Sequence, residues 1–427
     1  MSYDHIEKHP NPTIFNSSRH DQGVNALHVG VLNRLLVLKA IVLDGPMSRS
    51  ELAARLGLTK TTLGNIVSEL TASQLICETE DRGRGESIAL GRRPILLQLS
   101  EDAPCILGIL INRQGLTGVI ANLKGEFLDR RDLSYTGVTC KEDFLDKVHS
   151  MIQYLLANTR RNIFAIGVSS IGPIDITSGT ILNPANFFGI HDLPIVDILE
   201  SRYSIPCFLI HDADAGALAE KIYGQERDTK NFLFLSIKNG IAAGYILDDH
   251  LYIGNIGQSG EIGHSTIDCH GPQCICGNIG CLELYANTEN MNRKIQFMRK
   301  AFNLSKYPAD SDCSYSFSEI LQQAGNNDIC AMAALDEFCD YLSAALVNVI
   351  RFLDINRIIV GYDSKSNHSI LERLLDQKIR SRISFPANYD LIIQHSVFNG
   401  DALLYGAIAH IAALVFDGQI NFLGGSE

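Results

Sequence analysis

The segment GEIGHSTIDCHGPQCICGNIGCLE, from Gly260 to Glu283, places His264, Cys269, His270, Cys274, Cys276 and Cys281 within eighteen residues. The carboxylates Glu261 and Glu283 bracket them. Cys274, Cys276 and Cys281 follow a C-x-C-x4-C spacing, with Gly277 and Gly280 supplying the tight turns. Three thiolates and one imidazole form a closed tetrahedral set, and soft sulfur donors favour zinc over magnesium or calcium. His264, Cys274, Cys276 and Cys281 are the expected ligands of one structural Zn2+ per chain. Cys269 and His270 are spare candidates. Four protein ligands leave no open position for a reactive water, and no H-E-x-x-H segment of a zinc hydrolase occurs. Plain reduced cysteines are the alternative, against which stand three cysteines and two glycines in eight residues.

The elements that must position this set lie in a chain of 427 residues, long enough for two or three domains. Its 46% hydrophobic and 20% charged residues are a globular balance. Eleven cysteines, an odd number spread over this length, exclude a small disulfide scaffold. A reduced cytoplasmic protein with one metal cluster is expected. The N-terminal MSYDHIEKHPNPTIFNSSRHDQG has no apolar core of a secretory signal, and residues 1–29 read as a disordered arm. No apolar run reaches the length of a membrane span, so no membrane insertion is expected.

The net charge of −12 argues against nucleic-acid binding by the chain as a whole. Residues 30–100, however, hold nine Lys/Arg against seven Asp/Glu, a net of +2, on an otherwise acidic chain. This asymmetry points to a small DNA-facing module. VLNRLLVLKAIVL, Val31–Leu43, is apolar on most faces and reads as a buried helix ended by Gly45-Pro46. Ser48 with Glu51 forms a capping box for a second helix, which Gly57 breaks. Thr59 caps a third, whose Leu63, Ile66, Val67 and Leu70 share one face. Helix, short Gly-bearing turn, helix is the helix-turn-helix pattern. Lys60, Thr61, Thr62 and Asn65 lie at the start of the third helix, where a recognition helix meets base edges. LICETEDRGRGESIALGRRPILLQL then reads as a β-hairpin wing. Its Arg82, Arg84, Arg92 and Arg93 flank glycines, as side chains that enter an A·T-rich minor groove do. A solvated charged turn is the plain alternative.

From Cys105 the pattern becomes α/β. Strand-like ILGILIN, TGVIANL and FLDRRDL precede a polar helix, FAIGVSSIG and CFLIHDADAGALAE. A second set of the same kind begins at NFLFLSIKNGIAAGYILDDHLYIG. The expected lobes are residues 101–222 with 400–417, and residues 223–399 with the metal site, around a ligand cleft. The apolar helix at 331–353 suits either core or an interface, with core preferred.

GEIGH followed by CICGNIGCLE resembles the signature of the ROK family of repressors, open reading frames and kinases. HDADAGALAE at 211–220 resembles the family's N-D-A-N-x-A-x-x-A-E, and NPANFFG at 183–189 its P-N-L-P-G. With the helix-turn-helix, the resemblance covers residues 30–415. It implies an actin-like (ribonuclease H-like) two-lobed body behind a winged helix-turn-helix. It also implies that Asn186, His211, Asp212, Glu261, His264 and Glu283 line a sugar site, with His211 where the family has Asn. One His264 ring nitrogen would bind zinc and the other face the sugar. Asp212 matches the base of the family's kinases. Those kinases carry D-x-G-G-T where this chain has Leu110-Ile111-Asn112-Arg113-Gln114, and G-T-G-I-G-x-G where it has Lys238-Asn239-Gly240-Ile241-Ala242-Ala243-Gly244. The late G-G is Gly361-Tyr362. With the ATP-facing elements altered, no catalytic residue is expected.

The expectation is a sugar-responsive transcriptional repressor of carbohydrate-uptake or catabolism genes, a homodimer or tetramer on two-fold symmetric, A·T-flanked operator DNA. A sugar or sugar phosphate between the lobes would release it. A sugar kinase with an attached DNA module, or a repressor controlled by a protein partner, is the alternative.

Overall fold

The computed structural model describes residues 26–80, 95–238, 240–255, 257–302, 314–364, 369–386, 389–420 and 422. Arg82, Arg84, Arg92, Arg93 and most of the expected N-terminal arm lie outside them. The chain divides into two compact units. Unit one takes in the described residues up to Asn183, Phe187–Ile210 and the chain from Ala407 onward; unit two takes in Pro184–Asn186 and His211–Gly406.

Unit one begins with helix α1 (Ala26–Asp44), which starts inside the stretch expected as a disordered arm. Strand β1 (Met47–Ser48) leads into α2 (Arg49–Leu56) and α3 (Lys60–Ala72). The capping box is formed: Glu51 N–H donates to Ser48 Oγ at 3.2 Å, and Ser48 N–H donates to Glu51 Oε2 at 2.8 Å. Each such cap contributes about 1 kcal/mol by satisfying an orphan helix-end N–H. Gly57, at φ 65°, ends α2 in the left-handed conformation, and Thr59 Oγ1 accepts from Thr62 N–H to start α3. The expected face of α3, Leu63, Ile66, Val67 and Leu70, is buried. Strands β2 (Ile76–Glu80) and β3 (Ile95–Leu99) complete an antiparallel sheet of order β1-β3-β2.

The rest of unit one is built on a five-stranded sheet. Its strands are β4 (Cys105–Ile111), β5 (Gly115–Ala121), β6 (Phe127–Ser134) and, after helix α4 (Lys141–Asn158), β7 (Ile163–Ser170). A short hairpin of β8 (Ile174–Asp175) and β9 (Thr180–Ile181), then helix α5 (Ile195–Tyr203), leads to β10 (Cys207–His211). The order is β10-β7-β4-β5-β6. β4 is buried along its whole length, because apolar side chains cover both sheet faces. β6 alternates half-buried and exposed, as an edge strand rich in charge does.

Unit two repeats the plan. Helix α6 (Asp212–Ile222) precedes β11 (Phe232–Ile237), β12 (Ile241–Leu247) and β13 (His250–Tyr252). After the cysteine-rich loop come α7 (Thr288–Ala301), α8 (Phe317–Gly325), α9 (Ile329–Leu353), β14 (Arg357–Gly361), α10 (Ile370–Arg382) and β15 (Ile392–His395). The sheet order is β13-β12-β11-β14-β15, an antiparallel meander continued by parallel strands. α9 packs against α7, α8 and α10, and its Leu335, Leu342 and Leu346 join the core, so the core reading of 331–353 describes most of it. Phe352 at its end is 84% exposed.

Two sequence boundaries move. Residues 212–222, placed with the first lobe from the sequence, form α6, which packs on β11 and β12 of unit two. The last helix, α11 (Ala402–Phe416), begins in unit two and continues in unit one. Contrary to the reading that no apolar run is long enough, Asn399–Phe416 has the length and composition to cross a membrane. That segment is 78% buried inside the protein, where core packing uses its apolar surface.

Candidate functional site

The cysteine-rich loop brings His264, Cys274, Cys276 and Cys281 together, with all four donor atoms within 4.8 Å of one another. Cys274 Sγ lies 3.7 Å from His264 Nδ1, and Cys276 Sγ lies 3.6 Å from Cys281 Sγ. The loop is tied by backbone bridges Thr266–Cys281 and Gln273–Ile279. Asn278, which the sequence reading did not single out, donates from Nδ2 to His264 O at 2.9 Å and to Thr266 Oγ1 at 3.0 Å. Gly280 is required: φ is 63°, and a Cβ there would lie 1.8 Å from Asp268 O. Burial opposes ionisation of Cys276, yet hydrogen bonds from the Asn278 N–H and the neighbouring thiols hold its pKa below the usual thiol value. Burial pushes the Cys281 thiol up to about 12. Held by these four donors, a soft divalent cation would favour the thiolate forms. The set therefore fits a tetrahedral metal ion. Cys269 and His270 stay apart, in an exposed group with Asp268; Cys269 Sγ is 3.2 Å from His270 Nδ1.

The loop also carries Glu261, just before one turn of 3-10 helix at its start, and Glu283, within another at its end. Glu283 Oε1 accepts from Ile241 N–H at 2.6 Å. The room comes from glycine: a Cβ at Gly240 would lie 2.4 Å from Glu283 Oε1, and one at Gly263 2.8 Å from Glu283 Cγ. His211 closes β10 and precedes α6, so the strand end and helix start fix its direction. Its Nε2 is 3.7 Å from both Asp212 Oδ1 and Glu261 Oε1. Burial disfavours the imidazolium, but the charges of Asp212, Asp214 and Glu261 outweigh it and raise the pKa. Asp214 is a further member that the sequence reading passed over. It is 1% exposed, and burial pushes its carboxyl up to about 7. Its signal was in HDAD, whose second Asp departs from the family's N-D-A-N as His211 does. His264 Nδ1 is on the thiol side. Asn186 is exposed, at φ 52°, and its side chain makes no hydrogen bond among the described residues.

The three segments compared with phosphate and nucleoside elements make contacts within the chain. In the β4–β5 turn, Asn112 Oδ1 accepts from Gln114 N–H at 2.7 Å and Gly115 N–H at 2.9 Å. Lys238 Nζ donates to Gly400 O at 2.8 Å and lies 3.6 Å from Asp363 Oδ1. Tyr362 is buried, its ring lies 4.3 Å from the His395 ring at a tilt of 54°, and it donates to Glu372 Oε1 at 2.8 Å. The cavity lined by Lys238, Gly361, Tyr362 and Asn399 holds about 10 Å³, roughly one water.

At the start of α3, Lys60, Thr61 and Asn65 are exposed. Thr62 is half-buried, and its hydroxyl is hydrogen-bonded to Thr59 Oγ1 at 2.8 Å.

Two α/β units on sheets of the same plan, one carrying a cysteine-rich loop beside a carboxylate–imidazole group, define an actin-like body of the sugar-kinase and repressor type. The ROK family model matches residues 106–413, and the chain belongs to the ROK family. It is 30% identical over 355 residues to the xylose repressor of Bacillus spizizenii, spanning 82% of this chain and 87% of that protein. It is 23% identical over 382 residues to the DNA-binding transcriptional repressor Mlc of Escherichia coli, spanning 88% and 91%. The crystal structure of a ROK family transcriptional regulator, a homolog of the E. coli MLC protein, superposes with a TM-score of 0.75 at 28% identity. It covers 93% of this chain and 100% of that one.

Proposed function

We propose that this chain is a sugar-responsive, DNA-binding transcriptional repressor of carbohydrate-uptake or catabolism genes, and not an enzyme. One observation carries the reading. His211 lies 3.7 Å from Asp212 and Glu261, and Glu283 accepts from Ile241 N–H, polar groups that suit sugar hydroxyls, whereas Lys238 and Tyr362 are bonded within the chain in segments compared with nucleotide elements. The relatives named as a xylose repressor and as a DNA-binding transcriptional repressor support it.

In this reading α1–α3 with β1–β3 are a winged helix-turn-helix. Lys60, Thr61, Thr62 and Asn65 meet the major groove, and Arg82, Arg84, Arg92 and Arg93 meet backbone or minor groove. The protein acts as a homodimer or tetramer on two-fold symmetric DNA. Asn186, His211, Asp212, Glu261, His264 and Glu283 bind the effector; each sugar hydroxyl both donates and accepts, which carboxylates with an imidazole can match. Zinc on His264, Cys274, Cys276 and Cys281 holds the loop that carries Glu261 and Glu283, and fixes the His264 tautomer. The effector releases DNA by binding one state more tightly than the other.

The test is a melting-temperature panel of sugars, N-acetylated sugars and their phosphates, with and without Mg-ATP, followed by operator release. A shift with a sugar and none with ATP is expected. No shift with any sugar sinks the pocket and moves a protein partner to the front. The retained Asp212 favours a second reading, a sugar kinase; sugar-dependent ADP release would establish it.

A further inference from the structure

The cysteine-rich loop carries a second group of metal-ligating side chains, which the repressor reading does not use. Asp268, Cys269 and His270 are all exposed, and one donor atom of each lies within 4.8 Å of the other two. Cys269 Sγ is 3.2 Å from His270 Nδ1. Gly271 N–H donates to Asp268 O at 3.1 Å, which closes the turn that gathers the three. The Asp268 carboxylate is held in place as well. Its Oδ1 accepts from the His270 N–H at 2.9 Å, and its Oδ2 from the Tyr285 hydroxyl at 3.1 Å. Both donors are neutral, so they leave the carboxylate its charge, and each oxygen keeps a further lone pair. Glycine makes the room: a Cβ at Gly271 would run into the Tyr285 hydroxyl, and one at Gly280 into Asp268 O.

This set differs in kind from the four-ligand cluster on the same loop. There Cys274 and Cys281 are buried, and four donors close the coordination shell. Here one thiol, one imidazole and one carboxylate leave coordination positions to water. Each of these donors binds zinc, and sulfur with imidazole disfavours magnesium and calcium.

We propose that Asp268, Cys269 and His270 form a second, solvent-open site for a divalent transition-metal ion, with Zn2+ the best match. Its ion exchanges with solution while the four-ligand ion stays. On binding, the Cys269 thiol gives its proton to water as the sulfur–metal bond forms, and His270 supplies a neutral ring nitrogen. The site uses none of the four expected structural ligands and none of the effector residues, so its failure would leave the repressor reading untouched.

Full-length protein is loaded with Zn2+, and bound metal is measured at equilibrium with free Zn2+ and again after gel filtration. The Cys269→Ser, His270→Ala double variant should hold one ion fewer than wild type at equilibrium. After gel filtration the two chains should hold the same amount, and operator binding should be equal. A variant that binds as much metal as wild type at equilibrium overturns the site; an excess that wild type keeps through gel filtration overturns its exchange. A second measurement needs only the wild-type chain. Iodoacetamide alkylation of exposed Cys269 is followed by peptide mass spectrometry, with half-buried Cys140 as reference. Free Zn2+ should slow alkylation of Cys269 at least about tenfold relative to Cys140, because a metal-held thiolate is not free to attack. No slowing, or equal slowing at Cys140, overturns the site even where the variant fails to fold. Mg2+ should protect neither cysteine, and protection of Cys269 by Mg2+ overturns the choice of metal.

Discussion

The side chains around His211 and those around Lys238 belong to the same unit, but their hydrogen-bonding capacity is spent differently. Lys238 Nζ is engaged by Gly400 O and Asp363, and Asn399 is bonded through both ends of its amide to the backbone of Ser364. Around His211, Nδ1 of the imidazole and Oδ1 of Asp214 are buried and have no hydrogen-bond partner among the described residues. A buried polar atom without a partner costs about 1–3 kcal/mol. Such atoms persist where binding or function retains them. The Tyr362 side is not fully satisfied either, since Glu372 Oε2 and His395 Nδ1 have no hydrogen-bond partner among the described residues; the difference is that Lys238 is held by the chain itself whereas His211 is held only by carboxylates.

The largest test of this contrast is to remove what holds the loop that carries Glu261 and Glu283. Cys274→Ser, or chelation, should lower the metal content toward zero and cost roughly 3 kcal/mol or more of metal-linked stability, about 10 °C in Tm. Effector response should be lost with it. Metal analysis and melting curves decide it; a variant that keeps both Tm and response shows that the loop holds Glu261 and Glu283 without metal.

Glu283→Ala comes next. It leaves Ile241 N–H without its carboxylate acceptor, which costs about 1–3 kcal/mol. Operator binding should survive and induction should disappear. Normal induction by this variant would falsify the placement of the effector group.

Asp214→Asn should alter stability in a pH-dependent way. Desolvation pushes the native carboxyl up to about 7, so the folded protein keeps a proton that the unfolded chain has already lost. Wild-type stability from this group therefore falls as the pH rises from about 4 to about 7, then levels off. The amide has no such loss. The variant should gain Tm over wild type at pH 8 and not at pH 4; equal gains at both would mean that packing, not ionisation, is responsible.

The smallest effect is expected on the Lys238 side. Asn112→Ala frees the N–H groups of Gln114 and Gly115 at a cost of about 1 kcal/mol. It should not create ATP binding, because Lys238 and Tyr362 stay in place. Sugar-stimulated ADP release by wild type or variant would erase the contrast between the two sides.

Local chemistry was legible in the chain. Ser48 and Glu51, or Thr59 and Thr62, are three residues apart, so a helix start can be read from their types alone. The C-x-C-x4-C spacing likewise marks a single loop, and the four expected ligands converge. α1 starts earlier than the apolar run from Val31 suggests, because its first turn, Ala26–Val29, adjoins a polar arm that masks it. The α6 boundary failed for a different reason. A helix directly after a strand of one sheet reads as part of that sheet's unit, yet α6 packs on β11 and β12.

The sequence by itself determined what depends on neighbours along the chain: the helix caps, the cysteine loop, the repeated strand plan and the family. Tertiary structure decided what depends on distant residues. It set His211 within 3.7 Å of Asp212 and Glu261, buried Asp214, and brought Lys238 to Gly400. The physical reason is that caps and metal loops are short-range geometry, whereas desolvation and charge coupling arise only when separate segments exclude water together.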